Sequence, residues 1–370
     1  MRERLLLLFT LVAAAVGGTG AVGAHAIRNG GTFRVGVDAR GSVFNAIDPA
    51  LSIDTGGYLR PACGALMAYP DKPLPAGLIL GPELAEKAPT VSNGRRTYTF
   101  TIRKDARFST GAPVTARDVV HTLERVLDPS VRSLFAPDFS DIAGAAKLLA
   151  GSATRLTGAV AHGRRLTVTL TKSVPDFPAR TTELCVVPAS VPADPEGARA
   201  PLPSAAPYFV SSYVPDERVV LDRNRFYRGT RPHHVDRIDV DLNADPSTLL
   251  NRVATQQLEY APEGPWLGGH EEELVRRYGV NRSQLFVKPG LGTFMFVLNA
   301  SRPLFRSNAA LRRAVNFAVD RRALIAAEHG PLAETPTDRY LPRAMPGFRS
   351  SPRCGWKTAE AVTRWTSRPS

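Results

Sequence analysis

A chain of 370 residues is long enough for two or more lobes, because single cores rarely grow beyond about 250–300 residues. Its 43% hydrophobic and 22% charged residues are typical of a globular protein and exclude a disordered chain. The net charge of +13 is spread through every segment rather than gathered on one aromatic-rich stripe. This distribution argues against binding to nucleic acid and leaves contact with anionic lipid headgroups open.

The amino terminus has the pattern of an export signal. Two arginines precede an apolar run over residues 5–16, and the small residues that follow end in Ala24-His25-Ala26. This order predicts a signal peptide over residues 1–26, cleaved after Ala26. No cysteine lies near that site to carry a lipid anchor. We therefore expect an exported protein, located in the periplasm or at the outer cell surface.

Residues 18–23, Gly-Thr-Gly-Ala-Val-Gly, match the glycine pattern of a dinucleotide-binding loop. Such a loop must open a helix, whose amino-terminal N–H groups hold the pyrophosphate. The residues that follow start no helix. We interpret this segment as part of the cleavage region and expect no cofactor.

The mature chain shows a mixed α/β order. Alternating apolar residues predict strands at residues 31–38, 97–103, 166–170, 218–221, 237–242, 256–259 and 294–299. Helical apolar spacing, in most cases after a capping residue, predicts helices over residues 59–66 and 115–127 and after Asp245 and Asn308. Asn93-Gly94 predicts a hairpin, and the proline-rich stretch from Val186 to Pro207 predicts an irregular connection.

The three cysteines, Cys63, Cys185 and Cys354, lack the spacing of metal ligands. An odd number of cysteines in an exported chain argues against a disulfide framework. Cys63 and Cys185 are therefore interpreted as small buried apolar residues.

Motifs of catalytic sites are missing from the sequence, which has no G-x-S-x-G, no H-E-x-x-H and no P-loop, so we expect no enzyme activity. His233 and His234 are a possible metal-binding pair, but a water-exposed pair at a turn is the preferred interpretation. Asp239 and Asp241 share a strand face and are expected to point to solvent. His270, before three glutamates, is expected at a solvated helix start.

Five motifs occur in a fixed order between residues 31 and 348. The most specific is the strand at residues 96–103 with the turn and capped helix start at 108–119. The others lie at residues 82–86, 219–224, 227–229 and 299–321. On these motifs the chain resembles the family 5 extracellular solute-binding proteins, which serve oligopeptide, dipeptide and nickel ABC importers.

The resemblance implies an α/β fold, a bilobal clamshell of the type II periplasmic-binding-protein kind. The first lobe would span residues 27–285, with an inserted subdomain at about 66–165, and the second lobe would start at residues 286–348. Members of the family continue beyond this length, and residues 349–370 lie outside the pattern. We therefore expect an incomplete second lobe, through truncation or a frameshift, with a natural short form as the alternative.

The resemblance also implies a function. A monomer would capture a small peptide by closure of its lobes and deliver it to the permease and ATPase subunits of an ABC importer. The same fold would also suit a nickel chelate, glutathione or an oligosaccharide. An exported adhesion or signalling module, or a non-functional fragment, is the alternative from another class.

Peptide capture needs apolar-walled pockets and a partner for the ligand amine. Ser42, Val43 and Phe44 lie where the first lobe of this family approaches its ligand. The remaining candidates are aromatic residues near the predicted crossings between lobes and one acidic residue that could neutralise an amine: Tyr260, Trp266, Phe294, Phe296 and Glu263.

Overall fold

The computed structural model describes residues 29–38, 47–51, 58–262, 269–288, 290–328, 330–337 and 339–349. The predicted signal peptide, the glycine pattern at residues 18–23 and residues 350–370 lie outside this part of the chain. The same holds for five candidate ligand-binding residues: Ser42, Val43, Phe44, Glu263 and Trp266.

Two four-stranded sheets form the framework of the described residues. The strands are β1 (Thr32–Gly36), β2 (Met67–Ala68), β3 (Gly81–Pro82), β4 (Thr90–Ser92), β5 (Thr97–Thr101), β6 (Ala159–His162), β7 (Arg165–Thr169), β8 (Tyr208–Val214), β9 (Arg218–Arg223) and β10 (Arg237–Asp241). Sheet 1 has the order β1-β10-β9-β8 and sheet 2 the order β4-β5-β7-β6, while β2 and β3 form a short pair. Only β1 and β10 pair in parallel among these strands.

The helices of the described ranges are mostly short. They are α1 (Ala116–Leu127), α2 (Ala136–Phe139), α3 (Ala145–Leu149), α4 (Phe177–Arg180), α5 (Pro246–Ala254), α6 (Glu271–Tyr278), α7 (Pro303–Arg306), α8 (Ala309–Ala318), α9 (Arg321–Glu328) and α10 (Gly330–Ala333). Turns of 3₁₀ helix occur at Arg60–Ala62, Ala76–Leu78, Asn93–Arg95 and Thr181–Glu183. None of these described helices has both the length and the apolar character needed to cross a membrane.

Sheet 1 forms from distant parts of the chain. Strand β1 pairs in parallel with β10, and β10, β9 and β8 follow one another in antiparallel order. Side chains on its inner face, such as Val35, Leu221 and Val240, belong to one apolar core. The predicted strands at residues 31–38, 218–221 and 237–242 are confirmed within one or two residues.

The paired carboxylates on β10 form ion pairs on the sheet surface. Arg218 binds the Asp239 carboxylate, and Arg252 of α5 lies 2.5 Å from Asp241. The predicted solvent-side position of these carboxylates is therefore confirmed, because both remain partly exposed, but each has an arginine partner.

Sheet 2 and helix α1 share a second apolar core. Tyr98 and Phe100 of β5 alternate with polar residues and are 1% and 0% exposed, as the alternating pattern predicts. The predicted hairpin is confirmed by the antiparallel pairing of β4 with β5. Gly94, between these strands, has a φ of +61°, a backbone conformation that favours glycine.

Helix α1 begins with the predicted capping interaction. The Asp118 carboxylate accepts hydrogen bonds from the Thr115 backbone N–H at 2.8 Å and from the Thr115 hydroxyl at 2.7 Å. Val119 and Leu123 are buried against sheet 2 as predicted. The helix ends before Asp128, where the following proline disfavours helical geometry.

The two cores are joined by a buried ion pair. Arg125 of α1 lies 2.6 Å from Asp48, and both side chains are 1% exposed. The Asp48 carboxylate also accepts hydrogen bonds from the backbone N–H groups of Ala50 at 2.9 Å and Ala198 at 2.7 Å. The Arg125 Nε–H donates to the carbonyl of Pro192 at 2.9 Å. The pair thus fixes α1 to residues 47–51 and to the irregular connection over residues 186–207.

Cys63 and Cys185 form a disulfide, with Cα atoms 4.8 Å apart. The expectation that both are free apolar residues is therefore wrong. The odd cysteine count was misleading because it does not prevent two of the three cysteines, 122 residues apart, from meeting in the fold. The bond links the 3₁₀ turn at Arg60–Ala62 to the end of the turn at Thr181–Glu183.

Three predicted elements differ from the structure. Residues 59–66 form only the 3₁₀ turn at Arg60–Ala62, because the backbone is extended at Cys63 and Gly64 then packs closely against the distant Ala205–Ala206 backbone. Residues 256–259 form no strand, since Gln256 has a positive φ of 61° at the end of α5. Residues 294–299 also belong to no strand of the described ranges.

Two helix starts and the irregular connection are confirmed. The Asp245 side chain accepts from the Thr248 N–H at 3.0 Å, and the Asn308 side chain accepts from the Leu311 N–H at 2.9 Å. Residues 186–207 contain no described helix or strand, as their proline content predicts.

Removal of the disulfide is expected to destabilise the protein strongly. Cys63→Ser with Cys185→Ser opens a loop of 122 residues. The chain-entropy model then predicts a loss of about 4–5 kcal/mol in the free energy of unfolding, measured by urea titration. Cys354→Ser leaves the disulfide intact and is the matched control. Equal unfolding midpoints for the double variant and the control would contradict a structural disulfide.

Loss of one partner of the buried ion pair is also expected to be costly. Arg125→Met leaves the Asp48 charge buried without its cation, which lowers the free energy of unfolding by about 3–5 kcal/mol. The control, Lys172→Met, removes a surface pair whose lysine side chain is 68% exposed. It should cost less than about 1 kcal/mol in the same urea titration. Similar losses for both variants would show that Asp48 and Arg125 do not join the cores.

Candidate functional site

A cavity of about 150 Å³ lies where the two cores meet, and we call it the junction cavity. Its walls combine apolar side chains of both cores: Phe135 and Val186 from the core of sheet 2, and Ile47, Val187, Leu202 and Val210 from the core of sheet 1. All six are buried. A mainly apolar concave site with a few polar groups is the usual form of a small-molecule site.

Three irregular segments, residues 59–63, 182–187 and 202–204, supply much of the cavity wall. The Cys63–Cys185 disulfide joins the first two covalently. Beside it, the Val186 N–H donates to the Gly64 carbonyl at 2.8 Å. The Ser204 hydroxyl joins the third segment to the first by donating to the Ala62 carbonyl at 2.5 Å. The wall is therefore held although it contains little regular secondary structure.

Arg231 fixes the 3₁₀ turn at Arg60–Ala62, which forms part of this wall. Its guanidinium donates to the carbonyls of Arg60 and Cys63, each at 2.9 Å. It also pairs with the carboxylates of Asp71 at 2.9 Å and Glu83 at 3.1 Å. Burial lowers the pKa of Arg231, but the charges of Glu83 and Asp71 outweigh burial, so its pKa is raised above the ordinary value. Arg231 therefore stays charged and keeps its bonds to the turn.

The cavity has four polar lining side chains, which differ in their exposure. Thr182 and Ser204 are each 5% exposed, whereas Glu183 and Arg60 are exposed and so mark the solvent side. The Thr182 hydroxyl lies 3.2 Å from the Glu183 carboxylate, to which it donates. A few polar groups at the edge of a mainly apolar site suit the binding of a ligand.

A second depression, of about 320 Å³, is polar and lies on the surface beside α1. Two of its lining residues already have structural contacts. The Nε2 atom of His121 lies 2.6 Å from the Val191 carbonyl, and the Glu124 carboxylate accepts from the Leu156 N–H at 3.0 Å. This depression is therefore a weaker candidate for a ligand-binding site than the junction cavity.

The histidine pair takes part in local contacts. His233 Nδ1 lies 2.8 Å from the Arg231 carbonyl, and its ring contacts Tyr227 edge-on with centroids 5.5 Å apart. His234 Nδ1 lies 3.1 Å from the Asn29 side chain. In the part of the chain that the structure describes, no group of three or more His, Cys, Asp or Glu residues could hold a metal ion. His270 directly precedes α6 at a partly exposed helix start, as predicted, and its side chain makes no capping hydrogen bond.

The candidate residues that the structure describes lie away from the junction cavity. Tyr260 is 50% exposed, bridges Val35 of β1 and stacks on Phe33 with ring centroids 6.3 Å apart. Phe294 and Phe296 are 79% and 73% exposed, and neither contributes to the cavity wall. Ser42, Val43, Phe44, Glu263 and Trp266 lie outside the described residues, so the whole set stays a prediction.

The residues that line the cavity are not among the candidates predicted from the sequence. Phe135 follows α1 in a turn region without periodicity, and Leu202 lies in the proline-rich connection. The one available signal was the cysteine pair. Without Cys354, near the carboxyl end, Cys63 and Cys185 remain, and two cysteines in an exported chain commonly form a disulfide.

Comparisons with known proteins agree on one family. The family model described as bacterial extracellular solute-binding proteins, family 5 middle, matches residues 80–359. The oligopeptide-binding protein OppA of Bacillus subtilis (strain 168) is 26% identical over 373 residues, covering 97% of this chain and 66% of that protein. The chain therefore spans about two thirds of the length of this relative.

Solved structures show the same fold. The structure of the clavulanic acid biosynthesis oligopeptide binding protein 2 matches with a TM-score of 0.72 and 25% identity, over 88% of this chain and 61% of that one. The Escherichia coli murein tripeptide binding protein MppA matches with a TM-score of 0.70 and 21% identity, over 92% and 65%. The predicted α/β fold of periplasmic peptide-binding proteins is thereby confirmed at the level of fold class. The chain belongs to the family 5 bacterial extracellular solute-binding proteins.

Proposed function

We propose that this protein captures peptides outside the cytoplasm and delivers them to an ABC importer. The observation that carries the proposal is the apolar junction cavity with its few polar lining groups, in a member of a solute-binding family. Its relatives are named for oligopeptide binding and murein tripeptide binding, which favours peptides over other solutes. Nickel chelates, glutathione and oligosaccharides are the alternatives within the same fold.

The proposed mechanism is binding with closure of two lobes, without chemical change of the ligand. The first lobe would comprise residues 27–285 with an inserted subdomain at about 66–165, a range that contains most of the core of sheet 2. Residues 286–348 would begin the second lobe. The consecutive apolar residues 294–297 are between 50% and 81% exposed, and a contiguous exposed apolar patch is typical of a surface that packs against other structure.

The proposed setting follows from the predicted signal peptide over residues 1–26 and from the family. The protein would be exported, act as a monomer, and have the permease and ATPase subunits of the importer as partners. The net charge of +13 supports weak contact with an anionic membrane surface.

Thermal unfolding in the presence of solutes tests the function. A mixed tripeptide library should contain ligands that stabilise the purified protein, by about 2.7 kcal/mol at a concentration one hundred times Kd. Mass spectrometry should recover the bound peptide unchanged, because no catalysis is proposed. Glutathione, a nickel chelate and a maltooligosaccharide at the same concentrations are the controls. Stabilisation by only one of these controls would identify that solute, instead of a peptide, as the ligand. No stabilisation by any solute would favour an adhesion or signalling module.

A further inference from the structure

We propose that the junction cavity takes one apolar side chain of the captured peptide, of the size of an aromatic ring or a branched aliphatic group. This inference rests on the proposed peptide-binding function and adds the part of the ligand that the protein selects. It assigns the main chain of the ligand to the solvent side of the cavity.

The volume of the cavity sets the size of its occupant. Sites that enclose a whole drug-sized ligand have volumes of about 300–1,000 Å³, and the junction cavity has about 150 Å³. An apolar protein cavity of about 150 Å³ is large enough for benzene. One side chain therefore fits, and a whole tripeptide does not.

The chemistry of the wall selects an uncharged group. Ile47, Val187 and Val210 present apolar surface, so a charged side chain would lose its water without gaining a partner. The two buried hydroxyls are already engaged. Thr182 donates to Glu183 at 3.2 Å, and Ser204 donates to the Ala62 carbonyl at 2.5 Å. Neither hydroxyl proton is available to a ligand carboxylate.

The wall is also held in place, so that the cavity can discriminate by size. The disulfide fixes residue 63 to residue 185, and Arg231 fixes the carbonyls of the turn at Arg60–Ala62 and Cys63. A wall that cannot move outward excludes groups larger than its volume, whereas a mobile wall would adapt to them.

The solvent side of the cavity carries the exposed charges of Arg60 and Glu183. The polar main chain of a bound peptide would lie at this side, where its amides and termini keep contact with water or with these charges. One apolar group inside and a polar chain outside is the arrangement that the lining residues favour.

Calorimetric titration with trialanine and its single-substitution derivatives tests the inference. The substitutions place Leu, Phe, Lys or Asp at each of the three positions. At one position, Leu or Phe should lower Kd by at least about tenfold relative to Ala, since a hydrophobic pocket gains this factor from even one added methylene. Lys or Asp at that position should raise Kd above that of trialanine.

Two variants with a matched control assign this preference to the cavity. Ala62→Leu fills space in the wall and should remove most of the difference in Kd between the Leu or Phe peptides and trialanine. Ala189→Leu makes the same change at the polar surface depression and should leave the preference unchanged. Leu202→Ala enlarges the junction cavity and should shift the preference from Leu toward Phe or Trp, which gives a second readout if Ala62→Leu unfolds.

The outcomes separate this inference from the proposed function. Tight binding of tripeptides with equal Kd for Leu, Ala and Lys at every position overturns the inference and keeps the function. A preference that Ala62→Leu and Leu202→Ala leave unchanged also overturns it. Binding of no tripeptide at all overturns both.

Discussion

The relation between the two apolar cores depends on the buried ion pair of Asp48 and Arg125. Charges lose their water in a protein interior, and this cost must be offset by partners for most of their hydrogen-bonding atoms. Here two backbone N–H groups complete the contacts of the Asp48 carboxylate, and the Pro192 carbonyl completes those of Arg125. Because these partners come from α1, residues 47–51 and the connection over 186–207, the pair also sets the shape of the junction where the cavity lies.

The junction cavity is built mainly from irregular chain, which explains the number of cross-links around it. Loop backbone buried near a cavity needs partners for its N–H and C=O groups. Arg231 provides them for two carbonyls, Ser204 for a third, and the disulfide joins the turn at Arg60–Ala62 to residue 185. A wall held in this way keeps its shape without a ligand, so less free energy is lost to ordering when a ligand binds.

Local patterns in the sequence predicted the regular elements well. Strand β5 alternates and α1 has an amphipathic face with a capping residue, so each is specified by its own residues. The predicted helix at residues 59–66 failed because Gly64 packs on the distant Ala205–Ala206 backbone. The disulfide and the cavity also arise from contacts between distant segments, for which one sequence carries no periodic signal. The aromatic candidate Tyr260 shows the same limit, since it stacks on Phe33 of β1 instead of lining the cavity.

A crystal structure of the protein with a bound tripeptide tests most directly whether the small apolar cavity selects the ligand. The tripeptide would be the leucine-substituted trialanine that binds most tightly. We expect the leucine side chain to lie between Phe135, Leu202 and the Cys63–Cys185 disulfide, with the peptide main chain toward Arg60 and Glu183. A bound peptide whose leucine lies elsewhere, with the junction cavity empty or filled by water, would contradict it.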